Sequence, residues 1–254
     1  MARSVAREYR DRGATSVVLG GSWARGDAHR ESDLDVWVFG MRTGGDLLWR
    51  PPFMVVVDRR SVRAEERRLR TPPHIGGSVP GWRVARPLHD PHAIARRLRA
   101  EARRFQWSTV RPKCDRWVAE QVVRWAEEAI KLVRALATGN FATAAVQRNL
   151  LAEGLGFVIA IHRHWFWDSE NEAWERIGRA VGGTWGAAQR AALGIPRGSV
   201  ATSCQGALAL YGATAEEIGP LLRPDERAIV ANACRVAGVP GPATSRPSVR
   251  KRRR

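Results

Sequence analysis

Apolar residues recur at helical spacing near the start of the chain. Val5, Ala6 and Tyr9 fall on one side of residues 2–13 and arginines fill the other, with Ala14 following. This pattern predicts an amphipathic helix stopped by Gly13. The period then shortens. Ser16-Val17-Val18-Leu19 is an apolar run ending in Gly20-Gly21-Ser22, which reads as a strand, a turn and a helical turn over 23–26. Residues 33–39 alternate carboxylate or aromatic with aliphatic positions and end at Gly40, the mark of a second strand. A Gly44-Gly45 loop and Pro51-Pro52 lead into Phe53-Met54-Val55-Val56-Val57, a continuous apolar run expected to be a buried strand ending in Asp58.

Residues 59–70 are charged and predict a helix ended by Thr71-Pro72-Pro73, with 76–81 as loop and 82–88 as a short strand. From there the period is helical. Helices are expected over 93–107, 113–137, 141–166 and 170–181, with shorter ones up to Gly238. The second of these carries Trp117, Val118, Val122, Trp125, Ala126, Ala129, Ile130, Val133 and Leu136 on its apolar stripe. Asp168 and Ser169 read as caps of the helix from residue 170. Residues 239–254 are rich in Pro, Gly, Ser and Arg and predict a basic disordered tail. The expected architecture is α+β: a catalytic domain with a mixed sheet over 1–95, an α-helical acceptor-binding domain over 96–238, and the tail.

Composition narrows the class. A hydrophobic share of 44% and a charged share of 26% are ordinary for a globular protein. No uninterrupted apolar run approaches the ~20 residues of a membrane span, and the first residues lack the apolar stretch of a signal peptide, so a cytoplasmic location without a membrane partner is expected. Cys114, Cys204 and Cys234 are odd in number and lack metal-ligand spacing, which predicts reduced thiols. The formal charge of +17 includes six cations in the last nine residues, and Lys113, Lys131 and Lys251 are the only lysines. A basic surface concentrates anions such as NTP or nucleic acid but does not choose between them.

The chemistry gathers in residues 20–35. On a strand Asp33 and Asp35 point to one face, where two like charges call for a cation between them. Mg²⁺ suits that arrangement, since it accepts one or two carboxylates and fills its octahedron with water and phosphate oxygens. The Gly-Gly-Ser turn offers backbone N–H groups and a hydroxyl to phosphate at a helix start.

At these residues the chain resembles the nucleotidyltransferase superfamily, which includes DNA polymerase β and the aminoglycoside and lincosamide nucleotidyltransferases. The matching pattern is Gly21-Ser22, ten intervening residues, and Asp33-Leu34-Asp35, with Ala24-Arg25-Gly26 and Ser32 resembling the small-molecule branch. The resemblance implies that Asp33 and Asp35 bind one or two Mg²⁺ ions and that Gly21 and Ser22 hold the β- and γ-phosphates of an NTP. Arg25 and Ser32 join them as nucleotide contacts, though Arg25 also reads as one more solvated arginine. The family's third carboxylate falls to Asp58, which equally reads as a strand-end turn residue. In the drug-modifying branch a glutamate of the helical domain acts as base; Glu128 stands for that role, beside Glu120, Glu127 and Glu153. The run His162-Arg163-His164-Trp165-Phe166-Trp167 reads either as core residues at helix period or as a stacking surface for a base or sugar.

The expected activity is Mg²⁺-dependent transfer of a nucleoside monophosphate, AMP from ATP, to a hydroxyl of a small acceptor such as an aminoglycoside-like antibiotic, releasing pyrophosphate. A protein-AMPylating antitoxin-like enzyme and a non-catalytic basic nucleic-acid binder are the alternatives. Whether a homodimer shares a cleft is left open.

Overall fold

The computed structural model describes residues 1–243, apart from the side chain of Glu170. Two compact units emerge. The first comprises Met1–Cys114 with His164–Ala173, the second Asp115–Arg163 with the described residues from Trp174 onward. The basic run at 250–254 and most of the expected tail lie outside the described residues.

The first unit is built on a five-stranded mixed sheet. Its strands are β1 (Ser16–Leu19), β2 (Leu34–Phe39), β3 (Gly44–Arg50), β4 (Phe53–Arg60) and β5 (Arg86–His89), in the order β3-β4-β2-β1-β5. β2 and β4 run parallel and the other neighbours antiparallel. Helix α1 (Ala2–Asp11) buries Val5, Ala6 and Tyr9, the residues its period singles out. These pack with Val17, Leu19, Leu34, Val36, Val38, Val55 and Val57, which alternation sends to a single sheet face. Helix α2 (Gly21–Arg25) follows β1; α3 (Val62–Arg68), α4 (Ile75–Val84) and α5 (Ile94–Arg104) follow the sheet strands.

Three local expectations are corrected. Gly44 and Gly45 open β3 rather than forming a loop. Leu47 and Trp49 are exposed, so the strand lacks the buried alternation that marks a strand in sequence. Residues 76–81 lie inside α4 despite Gly76, Gly77, Pro80 and Gly81, and α4 also takes in Trp82–Val84 of the expected strand. The reason is tertiary: a Cβ on Gly76 would stand 2.0 Å from the Trp167 ring, so glycine is what lets the helix approach it. Trp167 N–H also donates to the Gly76 carbonyl (3.0 Å). Finally, the helix expected to reach residue 166 ends at His162. His164 adopts a left-handed backbone (φ 59°) and the chain leaves the helix. Phe166 and His164 then pack on Trp107, and Phe166 on Phe105, within the first unit. The first unit thus extends past the expected boundary near residue 95 and recruits a segment 50 residues downstream of Cys114.

The second unit is helical: most of α6 (Arg111–Ala137), then α7 (Phe141–His162), α8 (Glu170–Val181), α9 (Gly183–Ala192), α10 (Val200–Ile218) and α11 (Pro224–Ala237). Asn140 caps α7 by accepting from Thr143 N–H, and Ser199 caps α10 by accepting from Thr202 N–H (both 3.1 Å). Trp185 donates to Thr214 (2.9 Å) and Tyr211 to the Val122 carbonyl (3.3 Å), so buried polar tips are paired. Helix α7 is long and apolar enough to cross a membrane by length and composition, although Arg148 and Glu153 interrupt its apolar run. Its apolar side includes Leu151, Leu155, Val158, Ile159 and Ile161, all buried within the protein. The three cysteines are free thiols and buried, as expected.

Candidate active site

β1 delivers the chain into Gly20-Gly21, and both glycines are dictated by β2. A Cβ on Gly20 would lie 2.4 Å from the Trp37 indole, and one on Gly21 would lie 1.8 Å from the Asp35 carboxylate. Gly21 also has φ +57°, a left-handed backbone that a side chain would strain. The start of α2 therefore sits directly on the Asp35 carboxylate. Gly20 N–H donates to the Asp35 carbonyl (2.9 Å), which locks turn to strand. The first amides of any helix lack an intrahelical acceptor, so Gly21 and Ser22 present donors beside the carboxylate.

Asp35 is half-buried, whereas Asp33, just ahead of β2, is exposed. Burial, then the neighbouring Asp33 charge, pushes the Asp35 carboxyl up to about 6; Arg60 and Arg25 pull the other way, and Asp58 adds to the rise. A partly desolvated carboxylate with a second carboxylate beside it is a donor set suited to a hard divalent cation, and the lack of a side chain on Gly21 is what lets the turn approach Oδ2. The residues fit Mg²⁺ on that ground. Among the described residues no group of three or more His, Cys, Asp or Glu side chains is placed to hold a metal.

The parallel register decides the place of Asp58. Asp35 pairs with Val56, and Asp58 pairs with Trp37. Asp58 thus shares the face of Asp35 but stands two register pairs further along, and Val56 takes the position directly beside Asp35. Asp58 is held by Arg60, whose Nε donates to Oδ2 (2.7 Å). Arg60 in turn covers the Trp37 ring (4.3 Å) and contacts Glu65 (3.3 Å). Glu65 is fully buried and also accepts from the Trp82 indole N–H (2.9 Å). Sequence reasoning missed Arg60 and Glu65, since both fall in a charge-rich stretch that reads as solvated helix.

Arg25 is fixed rather than loose in solvent. Its Nε pairs with Asp27 (2.9 Å), and an Nη donates to the Asp168 carbonyl (2.8 Å). The Arg25 guanidinium holds the Asp27 carboxyl below its usual range. Ser32 sits in the loop before β2, where its hydroxyl accepts from His29 N–H (2.8 Å) and its carbonyl accepts from the Trp23 indole (3.4 Å). Glu128 lies on α6 in the second unit, paired with Lys131 at 3.2 Å, and Glu127 shares the same lysine at 2.9 Å. The structure therefore gathers Gly21, Ser22, Arg25, Asp33, Asp35 and Asp58 within the first unit, and Glu128 belongs to the other.

No curated protein matches the chain. Among solved structures it is similar to a nucleotidyltransferase-like protein from Exiguobacterium sibiricum 255-15, at 11% identity and a TM-score of 0.45, over 93% of this chain and 87% of that one. Residues 2–71 match the family model described as a nucleotidyltransferase domain. That span runs from α1 through the glycine turn, Asp33, Asp35 and β4 to just past the end of α3. What the chain shares with that family is a nucleotidyltransferase domain at residues 2–71.

Proposed function

We propose that this protein transfers AMP from ATP, with Mg²⁺, to a hydroxyl of a small-molecule acceptor. The observation that supports the reading is the seating of Gly21 on the Asp35 carboxylate, where a phosphate held by the turn would meet a metal held by the acid. Asp33 and Asp35 would hold the metal. When bound, Mg²⁺ neutralises charge on the triphosphate and on the departing pyrophosphate. The amides of Gly21 and Ser22, with the Ser22 hydroxyl, hold the terminal phosphates. Arg25 keeps a positive charge near Asp35, and its Asp27 and Asp168 partners fix its direction.

The oxygen of the acceptor hydroxyl forms the new bond to the α-phosphorus. The bond from that phosphorus to the α–β bridging oxygen breaks, pyrophosphate leaves, and the hydroxyl proton goes to solvent. The test is incubation of the full chain with α-labelled ATP, Mg²⁺ and a panel of hydroxyl compounds that includes aminoglycosides, with Asp33→Ala and Asp35→Ala as controls. Labelled acceptor plus pyrophosphate, lost in both variants, is the expected result. Failure of every acceptor to release pyrophosphate, with tight salt-sensitive RNA binding in its place, overturns the reading.

A further inference from the structure

The sheet face that carries Asp35 is closed on two sides and open on a third. Towards β1, Gly20 and Gly21 lie against Trp37 and Asp35. Along β2, Trp37 is covered by Trp82 (5.0 Å between rings) and by Arg60. Towards β4 the register reads Asp35 opposite Val56, then Val56 opposite Leu47 on β3, with Trp49 opposite Met54. Cross-strand partners share a face and side chains alternate along a strand. Val56, Leu47, Trp49 and Met54 therefore form one apolar strip running from Asp35 to the sheet edge.

That strip is bare. Leu47 is 68% exposed, Trp49 65% and Met54 48%. Among the described residues of the first unit, Met1 is the other large apolar side chain left exposed to this degree. A contiguous apolar patch next to a polar site marks a binding surface more often than chance exposure does. The strip also carries no charge. The charged members of β3, Asp46 and Arg50, turn to the opposite face, where Asp46 meets Tyr9 (2.7 Å) and Arg59 (3.1 Å) and Arg50 meets Glu8 (3.1 Å).

In-line displacement sets the direction from which the acceptor comes. The leaving pyrophosphate lies with Gly21 and Ser22, on the β1 side of Asp35, so the attacking oxygen enters from the opposite side. That side is β4 and β3.

Resting on the nucleotidyl-transfer reading above, we infer that Leu47, Trp49, Met54 and Val56 form the acceptor subsite and that the acceptor is a small hydroxyl compound bearing a flat ring. The ring lies on Trp49 while the hydroxyl reaches the α-phosphorus beside Asp35. An indole face pairs well with a flat π system, and an uncharged strip offers nothing to a polyamine. Val56 supplies the shape: an aliphatic side chain at the position beside Asp35 leaves room for the incoming oxygen without adding a charge.

The test separates binding from turnover. Two matched pairs serve as probes, phenyl and methyl β-D-glucoside, and adenosine and ribose, each pair differing by a ring. Saturation-transfer NMR on the metal-free full chain should light up the ring protons, with Kd for the ring-bearing member at least about fivefold lower. Trp49→Ala should remove the ring advantage, by about tenfold on the scale of base–aromatic stacking, and Trp49→Phe should keep most of it. The exposed position means neither variant should change the melting temperature, and ATP affinity measured with Mg²⁺ should stay the same. Equal or absent binding of ring-bearing and ring-free members overturns the inference, as does undiminished ring binding in Trp49→Ala. Loss of ATP affinity in step with ring binding also overturns it, because the strip would then hold the donor's own base. The NMR readout needs no turnover, so failure of nucleotidyl transfer and failure of this subsite are told apart.

Discussion

The two faces of the central sheet are made by the same strands and behave oppositely. On one face Val17, Leu19, Val36, Val38, Val55 and Val57 meet α1 in a closed aliphatic layer. On the other, within the same β2 and β4, come Asp35, Trp37, Val56 and Asp58, among which charge, aromatic and aliphatic groups mix. One residue of displacement along β2 separates a position that contributes stability from one that spends it. Asp35 and Val36 are adjacent in sequence, yet one is a half-buried acid pushed up to about 6 and the other is wholly buried. The lesson is that a strand with one closed face can hold strained chemistry on its other face without losing its place.

Substitutions at these two neighbours test that division most sharply. Asp35→Ala is expected to lower transfer by more than about 10³-fold, which corresponds to more than ~4 kcal/mol at the transition state, with thermal stability intact or raised. A pyrophosphate-release assay beside a melting curve reads both. Glu65→Leu should strand Arg60 and the Trp82 N–H that Glu65 now satisfies, costing about 3 kcal/mol on chemical denaturation. An unaltered midpoint there would show that the Glu65 cluster is not a structural tie. Val36→Ala is the counterpart of the first change: about 2 kcal/mol of stability should go with the lost methyls, while the KM for ATP stays within about twofold.

The smallest effect is pH-linked. The Asp35 carboxyl is raised to about 6 from the usual 3.8, so between these values the folded protein keeps a proton that the unfolded chain has lost. Its contribution to stability is full below about pH 4 and is lost as pH rises through about 6. Because the group is only half-buried, solvent screening holds the loss to on the order of 1–2 kcal/mol. Metal-free denaturation curves at pH 4.5 and 7.5 should show this decline in the wild type and a flatter profile in Asp35→Asn. Millimolar Mg²⁺ should restore stability at pH 7.5 in the wild type alone; equal stabilisation of Asp35→Asn would remove that residue from the metal site.

Strong local signals are legible in the sequence. Helix α1, strands β1 and β2 and the glycine turn all stand where period and punctuation put them, because each repeats a burial pattern within a few residues. Weak or contradictory local signals are not. Strand β3 is half glycine and exposed apolar residue, and α4 contains three glycines and a proline; each is held by partners remote in sequence, β4 in one case and Trp167 in the other.

The same boundary runs through the site. The sequence alone determined that Gly21, Ser22, Asp33 and Asp35 come together as a glycine turn beside a pair of carboxylates, because fifteen residues of chain carry them all. Only the tertiary structure decided that Val56 rather than Asp58 stands beside Asp35, that Arg60 takes Asp58 as its partner, and that an apolar strip leads from the acids to the sheet edge. The physical reason is register. Spacing along one strand is set by the chain itself, but which residue faces which across two strands is settled by the packing of the whole sheet.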